Sequence, residues 1–178
     1  MPNKKKGVLK RAIVTPDKHV PIHDKKACNV VLKAIEIVKP DIYVDLGDLG
    51  EWASVSHWQW KRKKKPPVEY IIPRVEKDIA DVNKWLDIVD EKLDKVGCKK
   101  RHMCAGNHEE WLDNFVKEYP YLKQYKTKTA LKFDERGWIY HEPGEYLKIG
   151  KLYYYHGHHF GGQYHTANHL RKLGCNII

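Results

Sequence analysis

The sequence predicts an α/β fold built on parallel strands and followed by a second, antiparallel sheet. Three observations carry that prediction. The short β-branched runs Ala12-Ile13-Val14 and Ile42-Tyr43-Val44 each lead into an acidic loop. A helical pattern of apolar residues lies between these runs, and a longer one separates the second from Arg101-His102-Met103-Cys104-Ala105. Beyond residue 137 the apolar runs follow one another without intervening helices, which favours antiparallel pairing.

Ala12-Ile13-Val14 reads as a buried strand, and Thr15-Pro16-Asp17-Lys18-His19-Val20-Pro21, with two prolines, as the loop leaving it. Asp24 is an N-cap for a helix over residues 25–38, with Ala27, Val31, Ile35 and Val38 on one face and Pro40 beyond its end. Ile42-Tyr43-Val44 is the second strand, and Asp45-Leu46-Gly47-Asp48-Leu49-Gly50-Glu51 its loop. This is a βαβ unit, whose right-handed crossover brings both acidic loops to one edge of a parallel sheet. Residues 52–74 break the pattern as an insertion in which Trp52, Trp58, Trp60 and Tyr70 interleave with a basic run and with Pro66-Pro67. Such aromatics suit base stacking or a small satellite core. Residues 76–96 are the clearest helix, with Ile79, Val82, Leu86, Val89, Leu93 and Val96 in one stripe and Gly97 closing it.

Arg101 to Ala105 is the third strand. It delivers the turn Gly106-Asn107-His108-Glu109, and a helix over about residues 109–118 stops before Pro120. Residues 121–135 show no readable pattern. Trp138-Ile139-Tyr140 and residues 145–149 read as strands of the second sheet, and Gly150 turns a hairpin into residues 151–155. A helix at about 163–173 ends at Gly174, and Cys175-Asn176-Ile177-Ile178 opens a further strand.

The 178 residues suit a basic flexible arm at 1–11 and one domain over 12–178. No apolar run approaches the ~18 residues of a membrane span. The basic N-terminus lacks the apolar core of a signal peptide, so a cytoplasmic location is the default expectation. Cys28, Cys98, Cys104 and Cys175 include no CxxC pair, which argues against structural zinc and favours reduced thiols. The net charge of +10 sits in two runs: Lys4, Lys5, Lys6, Lys10 and Arg11, then Lys61, Arg62, Lys63, Lys64 and Lys65. Without them the 33 Lys and Arg fall to 23, equal to the 23 Asp and Glu. Such runs attract polyanions such as nucleic acid, or stand simply as solvated surface.

Four strand ends carry chemistry: Asp17 with His19, Asp48, Asn107 with His108, and His156. Carboxylate, imidazole and amide suit a divalent ion of the manganese, iron or zinc type. Two such ions can share a carboxylate and clamp a phosphoryl group. Asp17-x-His19, Gly47-Asp48, Gly106-Asn107-His108-Glu109 and His156-Gly157 occur in the order of the calcineurin-like metallophosphoesterase superfamily, which residues 12–178 resemble. The Gly-Asp-Leu-Gly-Glu and His-Gly-x-x-x-Gly-Gly runs are most similar to the small phage and bacterial members.

The resemblance implies a four-layer αββα sandwich with two mixed sheets and two divalent ions at the strand ends, manganese first, with iron, zinc or nickel compatible. It implies that Asp17 and His19 hold one ion, that Asn107 and His156 hold the other, and that Asp48 bridges them. A bridging hydroxide is the implied nucleophile, with His108 just outside, protonating the leaving oxygen or stabilising charge. His158, His57, Lys61 and Arg62 are weaker candidates for substrate contact, and Glu51 replaces the more usual aspartate of the second motif.

The family's last motif, Gly-His-x-His, is absent after His156. Three readings are open. The sequence is a piece that stops short of that motif; or Tyr155-His156-Gly157-His158 is a degenerate form of it, with His141 as the earlier ligand; or His158, His159, His165 and His169 substitute. The leading function is hydrolysis of phosphate monoesters or diesters, with DNA, RNA or nucleotides as candidate substrates. The alternative is a catalytically impaired nucleic-acid-binding module on the same fold. The sequence leaves the oligomeric state open.

Overall fold

The computed structural model describes residues 10–159, 161–174 and 177–178. Most of the expected basic arm, residues 1–9, lies outside the described residues, as do Cys175 and Asn176 of the expected last strand. Strands β1 (Ala12–Thr15), β2 (Ile42–Asp45), β3 (Lys100–Cys104) and β4 (Trp138–His141) form one parallel sheet in chain order. The register sets Val14 beside Val44, Val44 beside His102, and Cys104 beside His141. With right-handed crossovers, a sheet whose spatial order follows the chain must carry its connecting helices on one face. That face is covered by α1 (Lys25–Val38), α3 (Val68–Lys95), which the short α2 (His57–Trp60) precedes in the chain, and α4 (Asn107–Glu118). Leu32, Ile35, Val82, Leu86, Leu112 and Phe115 from these helices pack with Tyr43, Met103 and Trp138 from the strands.

The opposite face is covered by an antiparallel ladder of β5 (Leu147–Ile149) and β6 (Leu152–Tyr154), turned at Gly150. Leu147 and Tyr154 pack there against Ile42, Val44, Leu46 and Cys104. All four residues of β2 are therefore buried, as a strand covered on both faces requires. Ile177 makes a parallel bridge to Tyr153. Helix α6 (His165–Leu173) ends at Gly174, which is left-handed. No helix of the described residues is long and apolar enough to cross a membrane.

Five expectations change. The four-stranded sheet is parallel throughout rather than mixed as the resemblance implies. Trp138 to His141 joins the parallel sheet rather than the second one. Its crossover runs through α4 and then through the 3-10 turns of Pro120–Tyr125 and the short α5 (Thr127–Ala130), and only these last two are too brief to show a helical period. Helix α3 starts at Val68, eight residues before the expected start, so residues 68–74 are not part of a loop insertion. Pro73 lies in its second turn, where a single backbone bond is forgone. Trp52 is fully buried in the main core rather than in a satellite core, while Trp58 and Tyr70 are exposed. In α1 the buried stripe is Cys28, Leu32 and Ile35, and Ala27 is exposed. Asp24 caps it as expected, accepting the amides of Lys26 and Ala27.

Candidate metal centre

The loops after β1 and β2 are laced together by backbone hydrogen bonds. The amides of Asp17, His19 and Val20 donate to the carbonyls of Gly47, Asp48 and Leu49 at 3.0, 2.9 and 2.9 Å, and the Glu51 amide returns a bond to Val20 at 2.9 Å. Asp17, His19 and Asp48 all hold positive φ, at 52°, 52° and 51°. Left-handed backbone at non-glycine residues costs about 1–2 kcal/mol each and persists only where the surroundings enforce it. Between Asp17 and His19, Lys18 turns inward and is buried, its Nζ 2.6 Å from Asp45 Oδ2 and bonded to Thr15. That inward anchor leaves its two neighbours facing out of the sheet edge. Asp45, at the end of β2, is thus the partner of Lys18.

The loops converge on Asp48. Its Oδ1 accepts the His108 amide at 2.9 Å, at the first turn of α4. Its Oδ2 lies 3.3 Å from His156 Nε2, 3.7 Å from His108 Nε2 and 3.9 Å from His19 Nε2. Each of these three imidazoles is tied at Nδ1 to an acceptor: His156 to the Leu46 carbonyl at 2.9 Å, His108 to the Glu51 carbonyl at 2.6 Å, His19 to the Glu51 carboxylate at 2.9 Å. A carbonyl or carboxylate only accepts, so Nδ1 carries the proton and Nε2 faces Asp48. This is how protein histidines are prepared as metal ligands. Asn107 Oδ1 stands 3.1 Å from His156 Nε2, and Asp17 Oδ1 3.9 Å from His19 Nε2.

The electrostatics follow from this crowding. Burial pushes the Asp48 carboxyl up, but His156, the His108 amide and the His108 ring outweigh it and hold it below the usual range. Burial draws His156 down, but Asp48, with Asp17 and Glu109 behind it, lifts it above the ordinary imidazole value. Oxygens of Asp48 and Asn107 converge on one ring nitrogen, an arrangement that calls for a proton or a cation between them. Two overlapping sets, Asp17-Asp48-His156 and His19-Asp48-His108, have ligand atoms within 4.8 Å of one another. The donor set and its spacing therefore fit divalent ions, with Asp48 common to both sets.

Glu109 carried no role in the sequence reading, and it organises the centre. It is fully buried in α4 and accepts from the amides of Gly106, Asp48, Leu49 and Gly50 and from the Trp52 indole, at 2.8–3.4 Å. Burial, then the neighbouring Asp48 carboxylate, push its carboxyl above the usual range, and the Gly106 and Asp48 amides offset this only in part. The sequence signal was half of a capping box: glutamate three residues after the N-cap Gly106. The two loops also touch through glycines. A Cβ on Gly106 would lie 2.2 Å from Asp48 Oδ1, and one on Gly47 2.4 Å from the Gly106 amide. Glu51, of uncertain role in the sequence, positions both His19 and His108.

Asp17, His19, Asp48, Asn107, His108 and His156 are thus brought together. His158 is not in this group: it faces Glu110, with its Nε2 3.3 Å from that carboxylate, and His159 stands 4.0 Å away. These three form a separate set within metal spacing. Burial and the neighbouring His159 and His156 bring His158 down to about 4. His57 and Lys61 line a cleft beside Trp111, whose ring lies 3.9 Å from that of His108, centroid to centroid. Arg62 is exposed on the turn beyond. His141 pairs with His102 at 3.1 Å and belongs to no metal-spaced group among the described residues. The same holds for His165 and His169, the latter buried near Tyr155.

Comparison of the chain with protein-family models, with curated proteins and with solved structures gives no match to any of them.

Proposed function

We propose that this chain is a divalent-metal-dependent phosphoester hydrolase of the calcineurin-like metallophosphoesterase type, its two packed sheets being the inner layers of the αββα sandwich that this type implies. One observation carries the reading: three imidazoles, each tied at Nδ1, present Nε2 to the single carboxylate of Asp48. On the resemblance, Asp17 and His19 are assigned to one ion, Asn107 and His156 to the other, and Asp48 to both, whereas spacing alone groups Asp17 with His156 and His19 with His108. Manganese is the first choice, since carboxylate, amide and imidazole together suit it. When bound, the ions supply Lewis-acid activation of water and positive charge for the phosphoryl oxygens.

The chain's own groups do the rest. Glu51 and the Leu46 carbonyl fix the tautomers. The N-terminus of α4 steadies Asp48 through the His108 amide. His108, one face of its ring covered by Trp111, holds Nε2 3.7 Å from Asp48 Oδ2. In the proposed step its Nε2 passes a proton to the departing oxygen of the ester.

The test is manganese binding followed by electron paramagnetic resonance, together with hydrolysis of a phosphomonoester, a diester and single- and double-stranded DNA. Metal-dependent turnover is the expected result. Asp48→Asn is expected to lower manganese affinity at least ~100-fold, beyond the ~10–100-fold of an outer contact. His108→Asn is expected to keep the metal and lose turnover by roughly 10²–10⁴-fold. A protein that binds no manganese and hydrolyses none of these esters would sink the proposal.

A further inference from the structure

We infer that the cleft between α2 (His57–Trp60) and α4 is a base-stacking subsite, so that the ester processed beside it belongs to a nucleotide or a single-stranded nucleic acid. The second half rests on the phosphoesterase reading; the cleft does not. Its volume is about 280 Å³, and its walls are aromatic: Trp60, Trp111 and Phe115, with His57 and Val55.

Trp111 is the link between the cleft and the metal centre. One face of its ring covers His108, at 3.9 Å between centroids and 33° between planes. A planar group resting in the cleft therefore lies one ring's thickness from the histidine assigned to the leaving oxygen. Trp60 is held in place independently of any ligand, because its Nε1 donates to the Ser54 carbonyl at 3.1 Å. Its face is thereby available without an unsatisfied donor.

The charge around the cleft selects against a purely apolar occupant. Glu118 is the only carboxylate in the lining, and Lys65 neutralises it at 2.6 Å. Lys61 also lines the cleft, its Nζ 4.8 Å above the Trp58 ring. Among the described residues no acid pairs with Lys61, Arg62, Lys63 or Lys64, all exposed. Aromatic walls with unpaired cations at the mouth fit a planar ring carrying a phosphate. Stacking supplies sequence-tolerant affinity and the cations hold the backbone.

The test measures equilibrium binding in chelator, where hydrolysis plays no part, using the full chain and fluorescence anisotropy. One labelled oligonucleotide carries bases, and a second of equal length is abasic. The base-bearing strand is expected to bind roughly 5- to 150-fold more tightly, the range for one stacked base. Trp60→Ala should erase that preference and leave abasic binding unchanged, and Trp60→Phe should restore it. Lys61→Gln should weaken both strands alike. Competition by thymidine monophosphate at similar affinity assigns the subsite to mononucleotides; competition only by strands assigns it to nucleic acid, and either supports stacking. Equal binding of the two strands by the unaltered chain, or a preference that survives Trp60→Ala, overturns the inference. Base-selective binding without hydrolysis of any ester leaves the cleft standing and defeats the phosphoesterase reading. Turnover of glycerol phosphate and nucleotides with equal efficiency, without base-selective binding, does the reverse.

Discussion

The carboxylate of Glu109 accepts the backbone amide of Asp48 at 2.8 Å. Through that bond the helix after β3 fixes the loop after β2. The same carboxylate reaches Leu49, Gly50, Gly106 and the Trp52 indole, so every group facing it is a donor.

Glu109→Gln puts an amide NH₂ against one of those donors. It should lower stability by about 2–3 kcal/mol, since buried donors lose a charged acceptor. Because Asp48 is displaced with its loop, manganese affinity should fall about 10–100-fold. Chemical denaturation and a metal titration on the same sample measure both; unchanged affinity would show that Glu109 supports the fold alone.

Lys18 and Asp45 form a buried pair, with side chains 4% and 2% exposed. Lys18→Met leaves Asp45 charged and alone, and should cost about 3–5 kcal/mol. Adding Asp45→Asn removes the stranded charge and should recover at least half of that loss. Urea unfolding of both variants decides it, and a double variant no more stable than the single one would count against the account.

Gly106 has ordinary backbone, with φ −90°, so the need for glycine there is steric. Gly106→Ala meets Asp48 side chain and backbone and should cost about 3 kcal/mol. Gly97 is the contrasting case: φ is +74° and nothing lies within 4 Å of an added Cβ. Gly97→Ala should cost only about 1–2 kcal/mol, from backbone strain. Equal losses in thermal unfolding would refute the steric explanation.

His102 and His141 face each other at 3.1 Å. Burial, then His141, bring His102 down to about 4 from 6.5, and burial lowers His141 as well. A base whose folded pKa lies below its unfolded value binds fewer protons when folded. Stability is therefore full above about pH 6.5 and declines as pH falls towards 4. The decline attributable to His102 should be about 1–2 kcal/mol, allowing for solvent screening of a half-buried ring. The difference between wild type and His102→Thr across pH 4–7 isolates it, and a flat difference would disprove the assignment.

The strands β1, β2 and β3 were legible because short β-branched runs and a clean helical stripe are local signals. Asp24 announced α1 for the same reason. The parallel partnership of Trp138–His141 was not legible, since it depends on pairing with β3 across the irregular residues 120–135. Pro73 concealed the start of α3, because a proline near a helix N-terminus costs little once the rest of the helix is packed.

The sequence by itself determined which side chains stand at the strand ends: Asp17, His19, Asp48, Asn107, His108 and His156. For the first five, those positions follow from chain order and the crossover rule, and for His156 from the end of the run over residues 151–155. Only the tertiary structure decided which atoms they present to one another. Tautomers set by Leu46 and Glu51, the inward turn of Lys18 and the clamp of Glu109 join residues between 3 and 110 positions apart. Apart from the capping-box glutamate and the Lys18–Thr15 bond, no local pattern encodes such contacts, because the rest exist only once the loops have met at the sheet edge.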